Sequence, residues 1–225
     1  MPAGVFERCL DRLEEIRWNG VVTYHFLNEP LLDERLEYFI ARTKQRLPHS
    51  LPRVYSNADA LTPTRMKSLI AAGMNNITVT QHPPSSAAWM RNLQELRADF
   101  GRWITFRGVI DGANWLTNWS GRVNVPSHRR HRRCIWLANS LTIRATGDVL
   151  LCCQTTLGKP IMGNIHNASL MEIWRSEKFA RIRKEAISGK VKLDMCARCL
   201  GHKRTEPARP AIEQIETVTA TADLS

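Results

Sequence analysis

Val21-Val22-Thr23-Tyr24-His25-Phe26-Leu27-Asn28-Glu29-Pro30 is a β-branched and aromatic run that breaks abruptly into Asn, Glu and Pro. The first seven residues read as a strand, and the last three as the loop that follows it. Upstream, Leu10, Leu13 and Ile16, with Val5 and Phe6 before them, make a helical stripe that ends near Asn19-Gly20. Downstream, Leu31 to Leu47 carries Leu36, Phe39 and Ile40 near helical spacing and stops before Pro48.

The alternation continues. Arg53 to Ser56 is a short strand. Thr62 can cap a helix that starts at Pro63, a residue tolerated in the first turn, and Gly73 ends it. Asn76 to Thr80 is a strand, Ser86 to Phe100 a helix, and Trp103 to Ile110 another strand. Strands separated by single helices pair in parallel, because each crossover brings the chain back to the same end of the sheet. The expected class is therefore α/β. Parallel sheets gather ligand sites at the carboxyl ends of their strands. That end is predicted to carry Asn28-Glu29-Pro30, Asn57-Ala58-Asp59, Gln81-His82 and Asp111-Gly112.

The pattern changes after about residue 112. Leu141 to Ala145 and Val149 to Cys153 flank Thr146-Gly147-Asp148, which predicts a hairpin with a glycine turn. Ser169 to Ser188 reads as helix, broken near Ser176. The tail, 205–225, has no sustained apolar face and is expected to be disordered. The expected organisation is a first unit at 1–120, a second at 121–204, and this tail.

The net charge is +11, part of it in the single run Ser127-His128-Arg129-Arg130-His131-Arg132-Arg133. Such a run reads first as a solvated loop, and second as an anion site for phosphate, nucleic acid or an acidic partner peptide. Without interleaved aromatics it is a weak nucleic-acid signal, and no nucleic-acid partner is expected. No apolar run reaches the roughly 20 residues of a membrane span. The N-terminal 20 residues lack the continuous apolar stretch of a signal peptide. A cytoplasmic protein is expected, with reduced thiols that favour metal binding over disulfides.

Six cysteines occur, at 9, 134, 152, 153, 196 and 199. Cys196 and Cys199 form C-x-x-C, a spacing that lets both sulfurs reach one metal centre. Cys134 precedes the predicted hairpin and Cys152 ends its second strand. These four can converge on one site, and both iron–sulfur clusters and structural zinc accept four cysteine ligands. Cys153 is expected to point away from Cys152 by strand alternation, and Cys9 to pack inside its helix.

Together, Cys134, Gly147-x4-Cys152, Gly163-Asn164-Ile165, Leu170-Met171-Glu172-Ile173-Trp174 and Cys196-x2-Cys199 resemble the C-terminal extension of SPASM/Twitch radical S-adenosylmethionine (SAM) proteins. The resemblance covers about residues 130–200. With no cysteine after Cys199, it implies the shorter Twitch form with one auxiliary 4Fe-4S cluster on Cys134, Cys152, Cys196 and Cys199. Asn28-Glu29-Pro30-Leu31-Leu32 resembles the family's G-E-P-L-L segment, whose neighbourhood holds the SAM amino group. Ser56-Asn57-Ala58-x-x-Leu61-Thr62 resembles its S/T-N-G-x-x-L-T segment. Each departs from the pattern where a glycine is replaced, by Asn28 and by Ala58. Glu29 and Asn57 are thereby implied as SAM contacts.

The implied architecture is an incomplete radical SAM partial (β/α) barrel followed by a small β-hairpin-plus-helix SPASM/Twitch domain. The family's C-x3-C-x2-C motif, which holds its radical-generating cluster, does not occur in these 225 residues. Three accounts are open: a misassigned start or truncated gene, a separate polypeptide that supplies the missing part, or recruitment to a non-radical role. The resemblance implies SAM-dependent radical modification of a peptide or small metabolite, while the chain alone is expected not to cleave SAM. A non-catalytic iron–sulfur electron-transfer or partner-binding protein, and a structural zinc module, stay open beside it.

Overall fold

In the computed structural model, residues 1–82, 85–109, 118–123, 125, 130–155 and 159–203 are described. The order is α1 (Ala3–Glu15), β1 (Val21–Thr23), α2 (Leu36–Arg46), β2 (Leu51–Ser56), α3 (Pro63–Ala71), β3 (Asn76–Gln81), α4 (Ala87–Phe100) and β4 (Ile104–Val109). Then follow α5 (Trp136–Asn139), β5 (Thr142–Ile143), β6 (Asp148–Leu150), β7 (Ile161–Asn164), α6 (Leu170–Arg175), α7 (Glu177–Ser188) and α8 (Asp194–Cys199). Residues 127–129 of the basic run, Asp111-Gly112 and the tail from 205 lie outside the described residues.

Strands β1 to β4 form one parallel sheet in sequence order. This is the α/β arrangement that the alternating periodicity predicts. Val54, Ile77 and Val79 from the sheet meet Ile40, Met66, Leu69 and Leu96 from the helices, all essentially buried. Helix starts follow the expected chemistry: Thr62 Oγ1 accepts from the amide of Arg65 at 3.1 Å, and Ser86 Oγ from that of Trp89 at 3.0 Å.

Two elements of the first half are clearly shorter than the sequence predicts. β1 stops at Thr23, because Asn28 bends the chain back: its Oδ1 accepts from the amide of Phe26, and its Nδ2 donates to the carbonyl of Tyr24. A local side-chain bond of this kind competes with the sheet ladder. The stretch predicted as one helix from Leu31 divides into a 3-10 turn, Pro30–Leu32, and α2. Asp33 separates them, accepting from the amide of Arg35 at 3.0 Å and pairing with its guanidinium. β2 is longer than expected and includes Pro52 opposite Val22.

The second half is built on an antiparallel sheet, β5-β6-β7, so the expected hairpin gains a third strand. Gly147 makes its turn at φ +82, a left-handed angle that glycine adopts freely. Val149, Leu151, Ile165, Ile173, Phe179 and Ala186 form a second buried cluster. Helix α1 bridges both halves. Phe6 and Leu10 pack with Phe39 and Leu47, whereas Cys9 packs into the second cluster. Arg46 of α2 pairs with Glu7, Asp11 and Glu14 on α1, and Arg42 also pairs with Glu7. No described helix is long and apolar enough to cross a membrane.

Candidate iron–sulfur and SAM sites

Two sets of residues predicted from sequence occupy different parts of the fold. The first lies beyond the carboxyl ends of β1 and β2. Glu29 Oε1 accepts from the amide of Leu31 at 3.1 Å, while Oε2 accepts from the amide of Asn57 at 3.0 Å. One carboxylate thus ties the loop after β1 to the loop after β2. An ionised carboxylate has about four acceptor positions, so capacity remains for an amine. Asn57 Oδ1 accepts from the amide of Asp59, and Trp89 Nε1 donates to the carbonyl of Asn57 at 3.0 Å.

Ala58 stands at φ +63, in the left-handed region that favours glycine, and is buried. The turn that a glycine would make is therefore kept by alanine, with Ser56 Oγ accepting from the Ala58 amide at 2.8 Å. His25 stacks near Tyr55, ring centroids 4.5 Å apart. Burial lowers the imidazole pKa, and the Glu29 charge opposes that shift. Gln81 closes β3, and His82 follows it at the same end of the sheet.

The second set is the cysteines. Cys196 and Cys199 sit three residues apart on α8, so they share one face of the helix. Cys134 is placed just before α5, where its amide donates to the carbonyl of Ala186 at 3.0 Å. Cys152 lies two residues past β6. The four thiols are near enough that ionised Cys152, Cys134 and Cys199 each oppose ionisation of Cys196. Burial, with these neighbours, pushes the Cys196 and Cys199 thiols up to about 12. Without a cation both stay protonated at neutral pH. Among the described residues, no three of His, Cys, Asp or Glu close tightly enough to hold a single metal ion.

The reason given in sequence for separating Cys153 from Cys152 does not hold in the fold. β6 ends at Leu150, so both cysteines lie in a turn where strand alternation does not apply. Cys153 is exposed as a residue, yet desolvation of its sulfur raises its pKa, and a Cys134 charge adds to the shift. Cys9 is buried inside α1, and burial alone pushes its thiol up to about 12.

Sequence reasoning missed the polar groups around the cysteines. Thr155 Oγ1 lies 3.7 Å from Cys152 Sγ, and the amide of Gln154 also hydrogen-bonds that sulfur. The backbone of Ser120 donates to Cys199. A threonine three residues after a cysteine was the available signal.

The described part of the basic run is held by its backbone. The amide of His131 donates to the carbonyl of Leu200 at 2.9 Å, and His202 Nε2 lies 2.8 Å from the carbonyl of His131. Arg130, Arg132, Ser188, Gly189 and His202 line an open cleft of about 460 Å³ there. The arginines form no ion pair with another described residue.

Residues 134–200 match the SPASM family, an iron–sulfur cluster-binding domain. Over 202 residues the chain is 27% identical to the S-adenosyl-L-methionine-dependent 2-deoxy-scyllo-inosamine dehydrogenase of Niallia circulans, spanning 88% of this chain and 80% of that protein. The fold is similar to the crystal structure of BtrN in complex with AdoMet and 2-DOIA. The TM-score is 0.81 at 25% identity, over 92% of this chain and 82% of that one. An open conformation of BtrN gives a TM-score of 0.69 at 23% identity, over 91% and 82% of the two chains. Residues 134–200 are thus similar to an iron–sulfur cluster-binding domain, and most of the chain is similar to an S-adenosyl-L-methionine-dependent dehydrogenase.

Proposed function

We propose that this chain is the SAM-binding and auxiliary-cluster part of a SAM-dependent dehydrogenase acting on a small hydroxylated metabolite. Cys134, Cys152, Cys196 and Cys199 hold one auxiliary 4Fe-4S cluster in this reading, within an incomplete (β/α) barrel followed by a Twitch-type domain. The observation that carries it is that Cys134, Cys152 and Cys196, from three separate segments, pack into one cluster, with Cys199 three residues from Cys196 on α8.

The donor set fits a cluster, and the match of residues 134–200 to an iron–sulfur cluster-binding domain supports it over zinc. Zinc–sulfur bonds of about 2.3 Å in a tetrahedron draw four sulfurs to within about 4 Å of each other. In a 4Fe-4S cube each thiolate binds its own iron, so the sulfurs stand farther apart. Burial makes Cys152, Cys196 and Cys199 reluctant to ionise, and a bound cluster would supply the positive charge that keeps them thiolates. Such a cluster, when bound, would supply a one-electron acceptor.

Glu29 is the SAM contact in this reading. Its two backbone hydrogen bonds fix the carboxylate, and its remaining acceptor positions suit the SAM amino group. Asn57 frames the same corner. The dehydrogenase relative supports the reaction class, and its substrate supports a polyhydroxylated or amino-sugar-like metabolite over a peptide. The radical centre itself is to be supplied by a C-x3-C-x2-C segment, either on a partner polypeptide or on additional sequence of the same protein.

Iron and acid-labile sulfide analysis of protein purified without oxygen tests the cluster assignment. Four irons and four sulfides per chain are expected. Stoichiometric zinc without sulfide would establish the structural-zinc alternative.

A further inference from the structure

We propose that the Thr155 hydroxyl is a hydrogen-bond donor to the Cys152 thiolate and raises the reduction potential of the cluster bound there. This rests on the cluster assignment above.

Among the described residues, the acceptor within reach of the Thr155 hydroxyl proton is Cys152 Sγ. The amide of Thr155 donates to the carbonyl of Cys152 at 3.0 Å, closing a turn. The amide of Cys152 donates back to Thr155 Oγ1 at 3.2 Å. The hydroxyl oxygen therefore already accepts, and its own proton is free to donate. Cys152 Sγ lies 3.7 Å away, within reach for a bond to sulfur. Thr155 is 1% exposed, so water does not compete for that proton.

Thr155 is one member of a wider donor set. The amide of Gln154 points at the same sulfur, and the backbone of Ser120 donates to Cys199. Ser120 sits at φ +59 between Trp119 at φ +47 and Gly121 at φ +82. The amides of Gly121, Arg122 and Val123 donate to the carbonyl of Asn118, closing the turn that carries Ser120. Asn118, 1% exposed, anchors the segment through Nδ2 to the carbonyl of Arg198 at 2.8 Å. Ser120 Oγ donates to the carbonyl of Gln154 at 3.1 Å, joining the two donor loops.

Hydrogen bonds to ligand sulfurs withdraw negative charge and favour the reduced cluster, which carries one electron more. A purely structural threonine would close the turn without moving the potential. The two roles part in Thr155→Val and Thr155→Ser, each loaded with iron in the full chain and titrated potentiometrically by the signal of the reduced cluster.

Thr155→Val is expected to shift the one-electron reduction equilibrium about tenfold against reduction, roughly 59 mV lower. Thr155→Ser, which keeps the hydroxyl, should return close to wild type. An iron-replete Thr155→Val with unchanged potential overturns the proposal. Where valine is not tolerated, Thr155→Ala gives the same reading, since it too lacks the hydroxyl. Loss of iron from both, with Thr155→Ser loaded, overturns it in favour of a structural turn. Wild-type protein devoid of iron and sulfide would instead sink the cluster assignment, a failure distinct from that of Thr155.

Discussion

Arg12 Nε donates to the carbonyl oxygen of Ile165 across 3.0 Å, joining two residues that lie 153 positions apart in the chain. The bond ties α1 to the β7–α6 segment of the cysteine-bearing half. Ile165 is fully buried, so its carbonyl has no solvent to turn to. Arg12→Met keeps much of the side-chain packing but leaves that acceptor unpaired. The expected cost is about 1–3 kcal/mol, read from the urea midpoint of the loaded protein. An unchanged midpoint would show that the two halves are joined by apolar packing alone.

The α1–α2 contact makes stability depend on acid. Hydrogen bonding to Arg42, with further help from Arg46, holds the Glu7 carboxyl below the usual carboxylate range. A carboxyl depressed in the folded state contributes stability that is present above its unfolded pKa, about 4.3, and is lost as pH falls through the folded value. Asp33, held at about 2 chiefly by its hydrogen bond to Arg35, acts in the same direction at lower pH. Glu7→Gln should therefore be less stable than wild type at pH 7, with the difference closing toward pH 3. A difference that persists at pH 3 would point to lost packing instead of lost charge.

The cysteine variants separate ligands from bystanders. Cys134→Ala, Cys152→Ala, Cys196→Ala and Cys199→Ala should each strongly reduce iron content and loosen the C-terminal half, because such binding is coupled to folding. Cys9→Ala and Cys153→Ala should keep it. Full iron in a Cys196→Ala/Cys199→Ala double variant would sink the assignment. Cys153 is the sharper control, since it lies in the same turn as Cys152 and its sulfur senses Cys134.

How much of this was legible in sequence follows from range. The parallel sheet was, because apolar periodicity and capping at Thr62 are local. The break at Asp33 was not, since it depends on a side chain turning back on Arg35 within an otherwise helical spacing. The apolar run Val149 to Cys153 read as one strand, yet the ladder stops at Leu150, where the β6–β7 register slips. Leu151 is apolar because it is buried in the second core, not because it is in a strand. The cysteine set was visible through spacing and a family resemblance. The hydroxyl of Thr155 and the amide of Ser120 were not, because a donor's meaning depends on what the fold sets before it.

The arginines beside the cleft should prove dispensable for folding. Among the described residues the segment is held by the amides of His131 and Cys134. Neutralising Arg130, Arg132 and Arg133 together is expected to change stability by less than about 0.5 kcal/mol. A larger loss would show that these cations are needed by the nearby carboxyl ends of α7 and α8. Salt-sensitive binding of an acidic partner that disappears in the same variant would identify the cleft as an anion site.

The last prediction concerns catalysis by the 225-residue chain alone. Supplied with SAM and a strong reductant after anaerobic reconstitution, it should form no 5′-deoxyadenosine. Reductive cleavage needs a cluster with one iron open to the amino and carboxylate groups of SAM. In the proposed site four thiolates occupy all four irons, so none is open. The remaining thiols cannot assemble a second site: Cys9 is buried within α1, and Cys153 lies in the turn beside Cys152. Glu29 offers SAM an acceptor for its amino group but no redox centre. Stoichiometric product from this chain would refute the requirement for an additional C-x3-C-x2-C segment. Product that appears only when a polypeptide carrying that motif is added would support a divided catalytic unit. If added motif yields none while the cluster still cycles between redox states, electron transfer becomes the better account of the chain.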